Sequence, residues 1–240
     1  MSAIPTDSRT VEIETFLTRE ASATTDEEHV QLGRDVLAWA RRTYGDGLTI
    51  ASSMGDEVLL HLAGTTAPGF DVFFLDTGYH FAETIGTRDA YEVMLPLRIR
   101  TIHPKETVAQ QDLRFGERLH ARNPDLCCRM RKVAPLNAAL SGYAAWVTGV
   151  RRADASTRAD AQLIEWDAKR SMLKLNPLVG WSHELVDRYA AEHGVFLNPL
   201  REIGFTSIGC EPCTRPVGAG EDPRAGRWAD SDKVECGLHI

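Results

Sequence analysis

Five cysteines are spread unevenly along the 240 residues. Cys127 and Cys128 are adjacent, Cys210 and Cys213 form a Cys-x-x-Cys pair, and Cys236 stands alone near the C-terminus. The natural partition is four plus one. Four thiolates drawn from two short segments suit zinc or an iron–sulfur cluster, both of which take soft sulfur ligands. The adjacent pair separates the two: neighbouring side chains reach two corners of a tight zinc tetrahedron only with strain, whereas a cubane offers two separate irons. Buried free cysteine often behaves as a small hydrophobe, but NPDLCCRMRK and SIGCEPCTRP are polar, turn-rich settings that suit ligands better. A thioredoxin-like redox pair normally opens a helix after a strand. Here Pro212 inside the pair and Pro216 beyond it predict a loop.

The elements that must position these groups alternate. A helix is predicted over 26–44, a strand over 48–54, a helix over 57–64, a strand over 71–78, a helix over 81–94 and a strand over 97–102. A further helix spans about 129–140, an apolar strand 143–150, and the last clear helix 183–194. Between the last two, ADASTRADAQ reads as a polar loop. Strands alternating with helices imply an α/β fold, a mostly parallel sheet covered by helices on both faces. Ligands collect at the carboxyl ends of such strands. Three segments fall there: Ser52–Glu57, Asp76–His80 and Gly149–Arg152. Ser52, Ser53 and Gly55 could bring backbone N–H groups and hydroxyls to a phosphate ahead of a helix, although a Ser–Gly turn is more often plain connection.

The hydrophobic share of 43% supports one domain of ordinary size. Residues 1–25 are expected to be a loosely attached arm, 26–217 the α/β domain, and 218–240, rich in Gly and charge, a mobile tail. A net charge of −7 argues against a nucleic-acid binder, so an anionic ligand must meet a local basic patch. No stretch has the length of a membrane span, and the start lacks the basic and apolar regions of a signal peptide. The expectation is a cytoplasmic protein whose cysteines serve a metal or redox chemistry, not a disulfide framework.

Taken together, SSMGDE (52–57), LDTGYHFAET (75–84), CCRMRK (127–132), TGVRR (148–152), GCEPCTRP (209–216), EDPRAGRW (221–228) and ECGLHI (235–240) resemble the assimilatory adenylyl-sulfate and 3′-phosphoadenylyl-sulfate reductase family. The resemblance runs from about residue 30 to the C-terminus. It implies a nucleotide-binding fold related to the ATP pyrophosphatases. In members that keep both cysteine pairs it implies a [4Fe–4S] cluster and adenylyl sulfate as substrate; cluster-free members use the 3′-phosphorylated form. Cys127, Cys128, Cys210 and Cys213 are thereby expected as cluster ligands and Cys236 as the nucleophile. The loop SSMGDE departs from many relatives, with Met and Asp where they carry Phe and Ala.

By the same resemblance, Ser52, Ser53 and Gly55 face the phosphate, Leu75, Asp76, Thr77 and Gly78 shape the adenosine side, and Gly149 is a further substrate-binding candidate. The substrate is an anionic mixed anhydride, so cations must gather. Arg131, Lys132, Arg151, Arg152, Arg224 and Arg227 are the candidates, with Lys132 linking cluster and sulfate. Cys236 must react as a thiolate; Arg224 and Arg227 are suited to promote it, and His239 receives no firm role. The implied chemistry is an S-sulfocysteine intermediate, released as sulfite by reduced thioredoxin or a similar dithiol donor. Neither nucleic acid nor membrane is expected as a partner, and a homo-oligomer stays open. The rivals are a reductase for the phosphorylated substrate, a zinc-stabilised nucleotide sensor with an incidental tail thiol, and an adenylating enzyme. The last usually shows a Ser-Gly-Gly-x-Asp loop, which SSMGDE lacks.

Overall fold

β1 (Leu48–Ser52) is buried along nearly its whole length, the mark of a strand covered on both faces. Its sequence, LTIAS, accordingly carries no charged residue on either face, and Thr49 is buried too. It pairs in parallel with β2 (Asp71–Leu75) on one side and with β4 (Ala145–Val147) on the other. β3 (Arg98–Ile102) extends the sheet beyond β2. β6 (Met172–Leu175) extends it beyond β4, and β5 (Ile164–Asp167) closes the far edge antiparallel. The order β3-β2-β1-β4-β6-β5 means that the chain winds outward one way from β1 and the other way from β4. The carboxyl ends of those two neighbours diverge into a crevice, the usual ligand position of such sheets. The computed structural model describes residues 8–229, 231 and 233–238.

Helices α1 (Ser8–Ser22), α2 (Asp26–Tyr44), α3 (Glu57–Thr66), α4 (Ala82–Met94) and α9 (His183–His193) contribute to one large apolar cluster with the sheet. On the opposite face Phe73, Trp146 and Met172 meet Leu136 and Leu140 of α8 (Ala134–Leu140). α5 (Val108–Phe115), α6 (Leu119–Arg122) and α7 (Pro124–Cys128) lie between β3 and α8. α2 starts where Thr25 and Glu28 form a capping box, satisfying two orphan N–H groups at once.

The element centres match the sequence pattern, with three differences. The helix expected from 129 starts at Pro124, and residues Arg129–Val133 form a π-turn inside it. The strand expected over 143–150 is regular only over Ala145–Val147, with single flanking hydrogen bonds from the Ala144 N–H to the Gly47 carbonyl and from the Thr148 N–H to the Leu175 carbonyl. The expected loose arm is, over its described part, the docked helix α1: Ile13 is 1% exposed and Phe16 stacks on Trp39 with ring centroids 5.6 Å apart. Its short apolar cluster was visible in sequence, but its partner surface on α2 was not. Ile13→Ala should therefore cost about 2–5 kcal/mol of unfolding free energy, measured by denaturant titration. A loosely attached arm would leave the midpoint unchanged.

Candidate active site

The crevice at the ends of β1 and β4 holds a cavity of about 210 Å³. Its floor is the loop after β1. Ser52 Oγ donates to Asp56 Oδ1 at 2.5 Å and accepts from the Met54 N–H at 3.1 Å. That hydroxyl holds Met54 at φ +55°, a left-handed conformation costing a non-glycine residue roughly 1–2 kcal/mol. Gly149 faces the loop so closely that a Cβ there would sit 2.8 Å from the Asp56 Cβ. No other residue fits without moving the floor. Beneath, Glu57 is fully buried; it accepts from the Asn198 N–H at 2.9 Å and pairs with Arg201 at 3.2 Å. Arg201 also donates to the Gly55 carbonyl at 3.0 Å, tying the loop to the segment that follows α9.

Burial pushes the Asp56 carboxyl up to about 6, with the neighbouring Glu57 charge adding to the rise and the Ser52 hydrogen bond opposing it. A folded-state value above the unfolded one means that the folded protein holds the proton more tightly. Its stabilising contribution is complete below the unfolded value near 4 and is lost as pH rises through about 6. Asp56→Asn should remove this component. The melting temperature of the wild type should then fall, relative to the variant, between pH 4 and pH 7.

The roof and walls are cationic. Lys132, Arg151, Arg158, Arg201, Arg224 and Arg227 all line the cavity. Most are already matched: Arg151 meets Asp154 at 2.6 Å, Arg158 meets Asp154 at 3.2 Å and Glu235 at 2.9 Å, and Arg224 meets Glu235 at 3.1 Å. Among the described residues, no carboxylate lies within ion-pair distance of Lys132 or Arg227. Arg227 donates to Ser207 Oγ and to the Ile208 carbonyl, and its guanidinium stacks 4.5 Å from the Trp228 ring centroid. Lys132 lies 6.0 Å over the same ring. Burial disfavours its ammonium, but the nearby sulfurs of Cys210, Cys236 and Cys128 reverse the balance and raise its pKa. Cys236 opens onto this cavity.

Of the residues singled out from sequence for substrate and nucleophile, Ser52, Ser53, Gly55, Leu75, Thr77, Lys132, Gly149, Arg151, Arg224, Arg227 and Cys236 line one cavity. Four do not. Asp76 turns back to accept from the Gly78 N–H at 2.8 Å, and Gly78, at φ +71°, is the turn itself. Arg131 points to the opposite side of its helix, towards the Thr77 and Glu106 carbonyls and Gln111. Arg152 lies elsewhere, paired with Glu20 of α1 at 2.6 Å. The tail, expected to be mobile, is folded against the domain over its described residues, with Trp228 and Glu235 buried. His239 falls outside the described residues. Sequence reasoning missed Arg158, Asp154, Arg201 and Glu235. Arg158 sits in the polar stretch 153–162, and its partner is 77 residues away; only the motif position of Glu235 beside Cys236 carried a signal.

Cys127, Cys128, Cys210 and Cys213 share a second, smaller cavity behind Lys132. Thr77 Oγ1 lies 3.2 Å from Cys210 Sγ. Burial pushes the Cys127 thiol up to about 12, helped by the proximity of Cys128, Cys210 and Cys213. Cys127, Cys128 and Cys210 are buried and Cys213 is half-buried, a soft donor set whose chemistry suits a cation that takes thiolates. As placed, no three of the described His, Cys, Asp or Glu side chains meet in metal-binding geometry. No described helix is long and apolar enough to cross a membrane.

A doubly wound sheet with a Ser–Gly loop at its switch point, a ring of cations and a cysteine on the terminal segment places the chain among the α/β folds of the nucleotide-binding type, with a cation-lined crevice. Residues 47–216 match the phosphoadenosine phosphosulfate reductase domain, and the chain belongs to that family. It is 54% identical over 205 residues to the adenosine 5′-phosphosulfate reductase of Streptomyces coelicolor, covering 85% of this chain and 87% of that protein. It is 50% identical over 206 residues to that of Mycolicibacterium smegmatis, covering 86% and 87%. Among solved structures it is similar to phosphoadenylyl-sulfate reductase from Candida auris, with TM-score 0.69, 25% identity, and coverage of 89% of this chain and all of that one. Yeast FAD synthetase shares the fold, with TM-score 0.59, 15% identity, and coverage of 87% and 75%.

Proposed function

We propose that this protein is an adenylyl-sulfate reductase acting in the cytoplasm in sulfate assimilation, with Cys236 as nucleophile and a reduced thioredoxin-type dithiol as electron donor. The observation that carries the reading is that Cys236, Lys132, Arg227 and the loop 52–57 border one cavity. The phosphate would lie against Ser52, Ser53 and Gly55 at the start of α3. The sulfate would lie between Lys132 and Arg227, the two cations that meet no carboxylate among the described residues. The Cys236 thiolate attacks sulfur; a sulfur–sulfur bond forms, the bond to the phosphate oxygen breaks, and its electron pair leaves on AMP. A donor thiolate then attacks Cys236 Sγ, and sulfite departs with the pair of the broken sulfur–sulfur bond. The donor's second thiolate resolves the mixed disulfide, so the two electrons come from the dithiol.

Cys127, Cys128, Cys210 and Cys213 would hold a [4Fe–4S] cluster. Bound there, it would supply a fixed charge distribution that tunes the electrostatics around the sulfate without changing redox state. Lys132, between the two cavities, orients the sulfate from the cluster side. The relatives named for adenosine 5′-phosphosulfate and the presence of both cysteine pairs favour the unphosphorylated substrate. The deciding experiment is sulfite release by anaerobically purified protein, offered adenylyl sulfate or its 3′-phosphorylated form with reduced thioredoxin, while the visible spectrum is recorded. A brown protein turning over adenylyl sulfate supports both assignments. A colourless protein preferring the phosphorylated nucleotide overturns both.

A further inference from the structure

Cys236 is carried on a segment held at three points. Lys233 pairs with Asp125 on α7, the helix that bears Cys127 and Cys128. Leu238 packs against the Phe73–Trp146 cluster, and its carbonyl accepts from Arg170 at 3.3 Å. The third point is directly beside the thiol. Glu235, 8% exposed, takes Arg158 in a two-pronged contact at 2.9 and 3.2 Å, Thr157 Oγ1 at 3.2 Å and Arg224 at 3.1 Å. The side chains of Arg158 and Glu235 are 14% and 6% exposed, so this pair is shielded from solvent screening as the rim pairs are not. Burial works against the Glu235 charge, but the Arg158 and Arg224 contacts outweigh it and keep the carboxylate ionised. An ionic group this well satisfied adds a directional hold to the apolar contacts of Trp228 and Leu238 and fixes the residue next to the thiol.

We infer that Glu235 is the latch that holds Cys236 in the cavity: its carboxylate, gripped by Arg158, Arg224 and Thr157, is a positioning residue for sulfur attack and is dispensable once the thiol has been sulfonated and the segment has left. The second half of the inference rests on the two-step reading above; the first does not.

The test compares wild type with Glu235→Gln and Glu235→Asp as complete chains. Trypsin cleavage after Lys233, whose side chain is 10% exposed in the closed segment, reports opening independently of thiol ionisation. Glu235→Gln should be cut at least about tenfold faster, the scale expected when one member of a buried charge pair is neutralised; Glu235→Asp should fall back toward wild type. In single turnover with adenylyl sulfate and no donor, sulfonation of Cys236, followed by intact mass, should slow by a similar factor in Glu235→Gln. Donor-driven sulfite release from the pre-sulfonated variant should match wild type. Unchanged cleavage and unchanged sulfonation would overturn the latch. Absence of any sulfonated wild-type protein would instead overturn the two-step reading, with the cleavage result still deciding the latch.

Discussion

Cys236→Ser should abolish sulfite release, by a factor on the order of 10⁴ or more, while AMP binding and the visible spectrum are retained. The hydroxyl keeps the size of the thiol, so the cavity formed with Lys132, Arg227 and Glu235 is preserved. What is lost is a sulfur nucleophile that can carry the sulfonate and then surrender it to another thiolate. Isothermal titration with AMP and a discontinuous sulfite assay separate the two properties. Residual turnover within tenfold of wild type would remove Cys236 from the chemistry and revive the reading in which it is an incidental tail thiol.

Lys132→Met should come next in size. Lys132 is 9% exposed, lines both cavities and meets no carboxylate among the described residues. A charge held ready in a desolvated site, aimed where the leaving phosphate and the transferred sulfonate gather negative charge, contributes far more than the same charge in water. Removing it should lower kcat by roughly 10²- to 10³-fold with a smaller change in KM, because the need is greatest in the transition state. Lys132→Arg should recover little, since a planar fork does not fill the place of a compact ammonium. Steady-state kinetics of the three proteins decide it; a pure KM effect would reduce Lys132 to a ground-state anchor.

Sequence pattern and structure agree where a residue's role is decided by its neighbours in the chain. The uncharged segment 48–52 is buried on both faces, the alternation from 48 to 102 becomes strand–helix–strand, and the Ser–Gly loop falls after β1. Agreement weakens where the role is set by a distant partner. Arg152 follows Arg151 at the end of the same strand, but Glu20, on a helix that reads as a loose arm, draws it away. Arg131 and Lys132 are consecutive cations beside cysteines, and nothing in their types says that one braces the Thr77 turn while the other faces the thiol. Glu235 and Arg158 are a long-range pair, invisible to periodicity.

The π-turn at Arg129–Val133 bears on which changes of length this chain tolerates. Such a turn takes one residue more than an α-turn to make nearly the same rotation, so the two halves keep close to the angle of one continuous helix while the sequence spacing of their buried positions slips by one. Deleting a single residue there should therefore be absorbed by a return to regular winding, with Leu136 and Leu140 kept on the sheet and Cys127 and Cys128 kept beside Cys210 and Cys213. The same deletion in a regular turn to either side would instead swing everything after it by roughly 100°. The extra residue works as a reserve of length, so the rod can lose one residue at this point without separating cysteine placement from sheet packing.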